Sequence, residues 1–83
     1  MGHKILYKAS VQQDLKQIDS KNAEKIINEI RTILGSNPRT GEALQGEFRG
    51  LFKLRIGGYR VIYALIDDDV LVLRIRHRSK AYE

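Results

Sequence analysis

The side chains best suited to binding or catalysis in this 83-residue chain are cations that alternate with apolar residues in its second half. Three arginines, Arg74, Arg76 and Arg78, occupy every second position of one segment. From Arg49 onward there are eight Lys or Arg residues against four acids, and three of those acids form the run Asp67-Asp68-Asp69. The formal net charge of +5 favours a polyanionic partner such as RNA, DNA or an acidic protein.

A cluster of cations is suited to cleaving RNA through the RNA's own 2′-hydroxyl group. That reaction needs a base for the hydroxyl, counter-charge for the phosphorane and a proton for the departing 5′-oxygen. Preorganised cations supply the counter-charge, and they also lower the pKa of a lysine or tyrosine placed among them. Arginine is a poor general acid, so its expected role is charge stabilisation. Such a site requires no metal and no other cofactor.

Other classes of site are disfavoured by the composition. The chain has no cysteine, which excludes disulfides and thiolate zinc sites, and His3 and His77 are too few for a convincing metal site. The three consecutive aspartates point in divergent directions at a hairpin tip, so a solvated turn is expected there. No apolar run is long enough to cross a bilayer and the start lacks the apolar block of a signal peptide, so a cytoplasmic location is expected, with no membrane partner.

Two helices and an N-terminal strand are predicted for the first half. Ile5-Leu6-Tyr7 is a strand candidate, and Ser10 followed by Gln13 is a capping-box pattern that predicts a helix start. Asp19 or Ser20 caps a second helix, and Gly35 suits the position just past its end. One apolar stripe of this helix is expected in the core: Ala23, Ile26, Ile27, Ile30, Ile33 and Leu34.

After a polar connection at 36–47 the apolar period changes from 3.6 to 2. Gly57-Gly58 is a two-residue hairpin signal, the return strand runs from Tyr59 to Ile66, and the last strand runs from Val70 to Arg78. The predicted order is β-α-α-β-β-β. This is an α+β fold with two helices packed on one face of a mostly antiparallel four-stranded sheet.

The turns predict which residues share a sheet face. The two-residue Gly57-Gly58 turn puts Arg55 opposite Arg60 and Lys53 opposite Ile62, on one face. If all three aspartates form the next loop, Ile66 faces Val70 and Arg60 faces Arg76. The cationic face then also holds Arg74 and Arg78, while Leu71, Leu73 and Ile75 join the apolar face. A shorter loop would bury these arginines at high cost, so the three-residue loop is predicted.

Like charges directly opposite one another destabilise a hairpin, and such conflicts tend to occur at functional sites. The alternative is a solvated face that serves solubility, but a face of that kind normally mixes its signs. A polyanion site is therefore the preferred interpretation. His77 falls on the apolar face and is expected at a partly buried strand end, and Tyr59 and Tyr63 are expected in or beside the core.

The stretch from Leu44 to Tyr63, with its Lys53-Leu54-Arg55 and Gly58-Tyr59-Arg60-Val61-Ile62-Tyr63 hairpin, resembles the RelE/ParE toxin superfamily. The ending His77-Arg78-Ser79-Lys80-Ala81-Tyr82 resembles its RelE branch. The resemblance implies that residues 1–83 form a single RelE-like toxin domain. It also implies a ribosome-dependent endoribonuclease that cuts mRNA in the A site and so inhibits translation, with a cognate protein antitoxin as partner.

The same resemblance implies a role for individual residues. Lys53 would act as base or charge-stabilising group, Arg60 would hold the scissile phosphate, Arg78 would contact the phosphate or leaving group, and Tyr82 would stack on the substrate base. The remaining cations that would bind RNA are Arg55, Arg74, Arg76 and Lys80. Some RelE members have a second lysine where this chain has Leu51, which weakens any mechanism that needs a lysine pair. Two alternatives stay open: a ParE-like inhibitor of DNA gyrase without nuclease activity, and an inactive toxin homologue.

Overall fold

The computed structural model describes residues 3–77, which fold into two helices on a five-stranded sheet. The helices are α1 (Ala9–Lys16) and α2 (Ser20–Ser36), with a short 3-10 turn at Gly46–Phe48. The strands are β1 (Ile5–Tyr7), β2 (Glu42–Ala43), β3 (Leu51–Ile56), β4 (Tyr59–Ile66) and β5 (Asp69–His77). Their order is β1-β5-β4-β3-β2; β1 runs parallel to β5 and the other pairs are antiparallel. The predicted α+β arrangement is confirmed, and β2, which arises from the polar connection, adds a fifth strand.

The two helices begin differently. Asp19 caps α2, as predicted, because its carboxylate accepts a hydrogen bond from the backbone N–H of Asn22. The predicted capping box of α1 is wrong. That helix begins at Ala9, Lys8 caps it without a side-chain hydrogen bond, and the Ser10 hydroxyl donates to the carbonyl of Leu73 instead. The predicted end of α2 is also wrong. Gly35 was expected just past the helix, but the helix continues through Gly35 and ends at Ser36.

The core lies between the helices and one face of the sheet. Its helical side consists of Val11 and the predicted stripe residues Ile26, Ile30 and Leu34. Its strand side consists of Leu54, Ile56, Val61, Tyr63, Val70, Val72 and Ile75. Within residues 3–77, neither helix is long and apolar enough to cross a membrane.

The hairpin of β3 and β4 has the predicted register in every pair. Ile56 lies opposite Tyr59, Arg55 opposite Arg60 and Lys53 opposite Ile62. Gly57 has a φ of +58°, the left-handed conformation that such a two-residue turn requires of its first residue and that glycine adopts without strain.

The predicted loop between β4 and β5 is wrong by one residue. Only Asp67 and Asp68 form the turn, and Ile66 pairs with Asp69. A bulge then shifts the register, because Tyr63 pairs with Val72 whereas Ile62 pairs with Arg74. As a result Leu71 and Leu73 lie outside the core, contrary to prediction, and Val70 and Val72 occupy it together with Ile75. The predicted pairing of Arg60 with Arg76 is correct, although the turn and the bulge together produce it.

Candidate nucleic-acid interface

The sheet has a second face, called here the outer face, which points away from α1 and α2. Arg55, Arg60 and Arg76 lie side by side on it, because Arg55 pairs with Arg60 across β3 and β4 and Arg60 pairs with Arg76 across β4 and β5. Directly opposed residues of antiparallel strands have Cβ atoms about 4.5–5.5 Å apart. We call these three residues the cationic row. These neighbouring positions put three arginines where they can contact one segment of a polyanion.

Lys53 lies next to the cationic row on β3, and an acid accompanies it. Its Nζ atom lies 3.5 Å from Oε2 of Glu42, the residue directly opposite on β2. The lysine side chain is only 18% exposed, whereas that of Glu42 is 72% exposed. The sequence offered no signal for this pair, since residues 36–47 were expected to be a loop. Lys53 can therefore engage a phosphate by exchanging the exposed carboxylate for a phosphate oxygen.

Arg74 is paired differently from the other cations. Its Nε and Nη2 atoms donate to the two carboxylate oxygens of Asp14 on α1, at 3.0 and 2.9 Å. The side chain of Arg74 is 42% exposed and that of Asp14 is 12% exposed. A two-pronged arginine–carboxylate pair of this kind is strong and directional. Arg74 therefore meets a polyanion only with the part of its guanidinium that Asp14 leaves accessible.

The opposite end of the outer face is apolar. Leu6 pairs with Leu71, Leu71 with Ala64, and Ala64 with Leu51, so that four apolar side chains cross four strands in one row. We call these residues the apolar row. Leu6 is 49% exposed, and none of the four belongs to the core cluster of the described residues. This row could not be predicted with a three-residue loop between β4 and β5, because that loop length places Leu71 in the core.

The end of the sheet nearest the C-terminus brings Tyr59 and His77 together. Their rings meet edge to face, with centroids 5.1 Å apart. Tyr59 packs against the core and Tyr63 is fully buried, as predicted. His77 is exposed at the end of β5 rather than partly buried.

The structure describes five of the eight predicted site residues. It places Lys53, Arg55, Arg60 and Arg76 on one face and holds Arg74 beside Asp14. Three further predicted site residues, Arg78, Lys80 and Tyr82, lie outside the described residues. Among residues 3–77 there is no group of three or more His, Cys, Asp or Glu side chains arranged to hold a metal ion. The chemistry that this arrangement can supply is concentration of positive charge on a bound phosphate.

The sequence and the fold both have relatives of known kind. The family of ParE toxins of type II toxin–antitoxin systems matches residues 5–82. Toxin RelE of Mycobacterium tuberculosis is 34% identical over 77 residues, covering 89% of this chain and 79% of that toxin. Toxin RelG of the same organism is 27% identical over 85 residues, covering 99% and 98%. The fold is similar to one chain of the RelBE2 toxin–antitoxin complex of M. tuberculosis, with a TM-score of 0.87, 26% identity, and coverage of 94% of this chain and 100% of that one.

Proposed function

Because this chain belongs to the ParE toxin family, within the RelE/ParE superfamily, we propose that it is a ribosome-dependent endoribonuclease that cuts mRNA in the A site. The observation that carries this proposal is the cationic row, in which Arg55, Arg60 and Arg76 occupy directly opposed positions on three neighbouring strands. The RelE and RelG toxins among its relatives favour the RelE-type activity. A toxin of this kind inhibits translation in the cytoplasm.

The proposed reaction forms a bond between the RNA 2′-oxygen and the adjacent phosphorus and breaks the bond to the 5′-oxygen. Arg60, in the middle of the cationic row, holds the scissile phosphate, and Arg55 and Arg76 bind the neighbouring backbone. Lys53 lies two residues before Arg55 on β3, on the same face, where it stabilises charge or takes the hydroxyl proton. The resemblance assigns the leaving group or phosphate to Arg78 and the substrate base to Tyr82, with Lys80 on the RNA backbone. Arg74 makes a weaker backbone contact because Asp14 already binds it.

The decisive experiment adds the purified chain to ribosomes programmed with a defined mRNA and maps the cut sites by primer extension. We expect cuts at the A-site codon that leave a 2′,3′-cyclic or 3′-phosphate, with no requirement for a metal ion in the chemical step. Arg39→Ala is a matched control for substitutions in the cationic row, because Arg39 is an exposed arginine in the loop after α2 and belongs to no strand of the sheet. Activity lost with a chelator and restored by magnesium, on ribosomes shown to be intact, would refute the metal-free mechanism.

We also propose a cognate protein antitoxin that covers the outer face. The apolar row lies at the end of the outer face opposite the cationic row, which favours an amphipathic segment that places apolar residues over Leu71 and acidic residues over Arg76. The solved relative is itself a toxin in complex with its antitoxin. Hydrogen exchange of the complex should show protection of β4 and β5. Protection restricted to residues 36–47, with an unchanged sheet, would contradict this assignment.

A second candidate function is inhibition of DNA gyrase without nuclease activity, and the match to the ParE toxin family favours it. The cationic row could bind DNA or an acidic partner as well as RNA. A gyrase supercoiling assay separates the two functions. Inhibition of supercoiling by a chain that leaves ribosome-bound mRNA intact would establish the second candidate and exclude the first.

A further inference from the structure

The bulge in β5 decides which side chains reach the outer face. Beyond the pair Tyr63–Val72, an uninterrupted ladder would place Leu73 opposite Ile62, Arg74 opposite Val61 and Ile75 opposite Arg60. The arginine would then enter the core and the isoleucine would enter the cationic row. The extra residue at the bulge restores the order, so that Ile75 pairs with Val61 and Arg76 with Arg60. The cationic row therefore depends on this bulge.

The bulge lies just beyond the point where β1 stops pairing with β5. The last pair of those strands is Tyr7–Val72, and the Lys8 N–H then donates to the Val72 carbonyl at 3.0 Å. Within residues 3–77 no strand continues along this edge, and a bulge leaves local backbone groups without ladder partners. Side chains of α1 take over. The Ser10 hydroxyl donates to the Leu73 carbonyl at 2.7 Å, 63 positions away in the chain.

Asp14 satisfies the other side of the bulge with three hydrogen bonds. Its Oδ2 atom accepts from the backbone N–H of Ile75 at 2.9 Å and from Nε of Arg74 at 3.0 Å. Its Oδ1 atom accepts from Nη2 of Arg74 at 2.9 Å. One largely buried carboxylate thus holds both the backbone after the bulge and Arg74, the arginine that an uninterrupted ladder would place in the core.

We propose that Asp14, assisted by Ser10, is a positioning residue that fixes the β5 bulge and thereby places Arg76 beside Arg60 in the cationic row. Asp14 acts through the backbone of β5 and needs no contact with RNA. Its effect on cleavage rests on the proposed function, whereas its effect on strand register does not.

The test compares Asp14→Ala and Asp14→Asn with Glu24→Ala, which makes the same change in net charge at an exposed position of α2. Cross-strand NOEs report whether Arg60 pairs with Arg76 or with Ile75. Single-turnover cleavage on saturating ribosomes reports the chemical step separately from binding. Asp14→Ala should lose the Arg60–Arg76 pairing and slow cleavage about 10- to 100-fold on saturating ribosomes, because Arg76 would no longer lie beside Arg60 to position the RNA backbone.

Asp14→Asn should keep the pairing and most of the rate, because its amide oxygen still accepts from Ile75, and Glu24→Ala should match the wild type. A folded Asp14→Ala protein that retains the Arg60–Arg76 pairing would overturn the inference, whatever its activity. Lost pairing with an unchanged cleavage rate would overturn the functional half. A wild-type chain that cuts no mRNA refutes the proposed function, while the NOEs still decide the positioning role. If Asp14→Ala fails to fold, Ser10→Ala decides: faster amide exchange around Leu73 supports the inference, and unchanged exchange refutes it.

Discussion

Replacing Tyr63 by Phe removes one oxygen atom that holds the loop after α2 on the sheet. The fully buried Tyr63 hydroxyl donates to the Pro38 carbonyl at 2.8 Å and accepts from the Gly41 N–H at 2.9 Å. The approach is close, since a Cβ atom at Gly41 would lie 2.5 Å from that hydroxyl. Each hydrogen bond contributes about 0.5–1.5 kcal/mol, so Tyr63→Phe should lower the free energy of unfolding by about 2 kcal/mol.

Tyr7→Phe is the matched control, because it makes the same chemical change with the opposite expected sign. Within residues 3–77 the Tyr7 hydroxyl is the one buried side-chain polar atom that lacks a hydrogen-bond partner. A buried polar group without a partner costs about 1–3 kcal/mol. Removing it should therefore leave the stability unchanged or raise it by about 1 kcal/mol.

Urea denaturation followed by circular dichroism measures both changes, provided that the m-values of the variants match that of the wild type. The corresponding loss in Tm for Tyr63→Phe is about 8–16 °C in a domain of this size. Equal effects of the two substitutions, or a loss above about 1 kcal/mol for Tyr7→Phe, would contradict the difference in hydrogen bonding between the two hydroxyl groups.

Three further outcomes are expected. Arg60→Ala should slow the cleavage step by two to three orders of magnitude, about 3–4 kcal/mol, on saturated ribosomes; a wild-type rate would exclude Arg60 from the site. Glu42→Gln should tighten ribosome binding about two- to fivefold, because it releases Lys53 from its ion pair. Filter binding at low salt measures this change, and an unchanged affinity would mean that the ion pair does not restrain Lys53. Burial raises the pKa of Tyr7 and Tyr63 above the usual 10.0, so the contribution of these two groups to stability should stay constant as pH rises to about 10 and decline above it, because the unfolded chain ionises first. A series of urea titrations from about pH 8 to pH 11 checks this.

The β3–β4 hairpin could be predicted from sequence because its information is local. A two-residue turn fixes every pair of the two strands that follow from it, and Gly57-Gly58 specifies that turn. The placement of Lys53, Arg55 and Arg60 on one face followed directly. The same logic predicted the Asp19 cap, whose partner Asn22 is three positions away.

The β4–β5 register could not be predicted in this way because its information is distant. The run of aspartates permits more than one turn length, and only the bulge makes the short turn compatible with an Arg76 that lies opposite Arg60 on the outer face. The groups that stabilise the bulge, Ser10 and Asp14, lie about 60 positions earlier. Ser10 was assigned instead to a local cap. One available signal was overlooked: Val70 and Val72 are β-branched residues at alternate positions, a pattern typical of a buried strand face.

The outer face has its cationic row at one end and its apolar row at the other, and this separation affects the kinetics of partner binding. Attraction between the cationic row and an acidic partner acts over about 8–10 Å at ordinary ionic strength, and it accelerates encounter. Contacts with the apolar row act only after docking, and salt weakens them little. A partner that spans both rows would thus associate at a salt-dependent rate through Arg60 and its neighbours, and dissociate at a largely salt-independent rate set by Leu71 and its neighbours. RNA bound as proposed, through the cationic row and the neighbouring cations, would lose affinity steeply as salt rises, so higher ionic strength would shift the competition toward the protein partner.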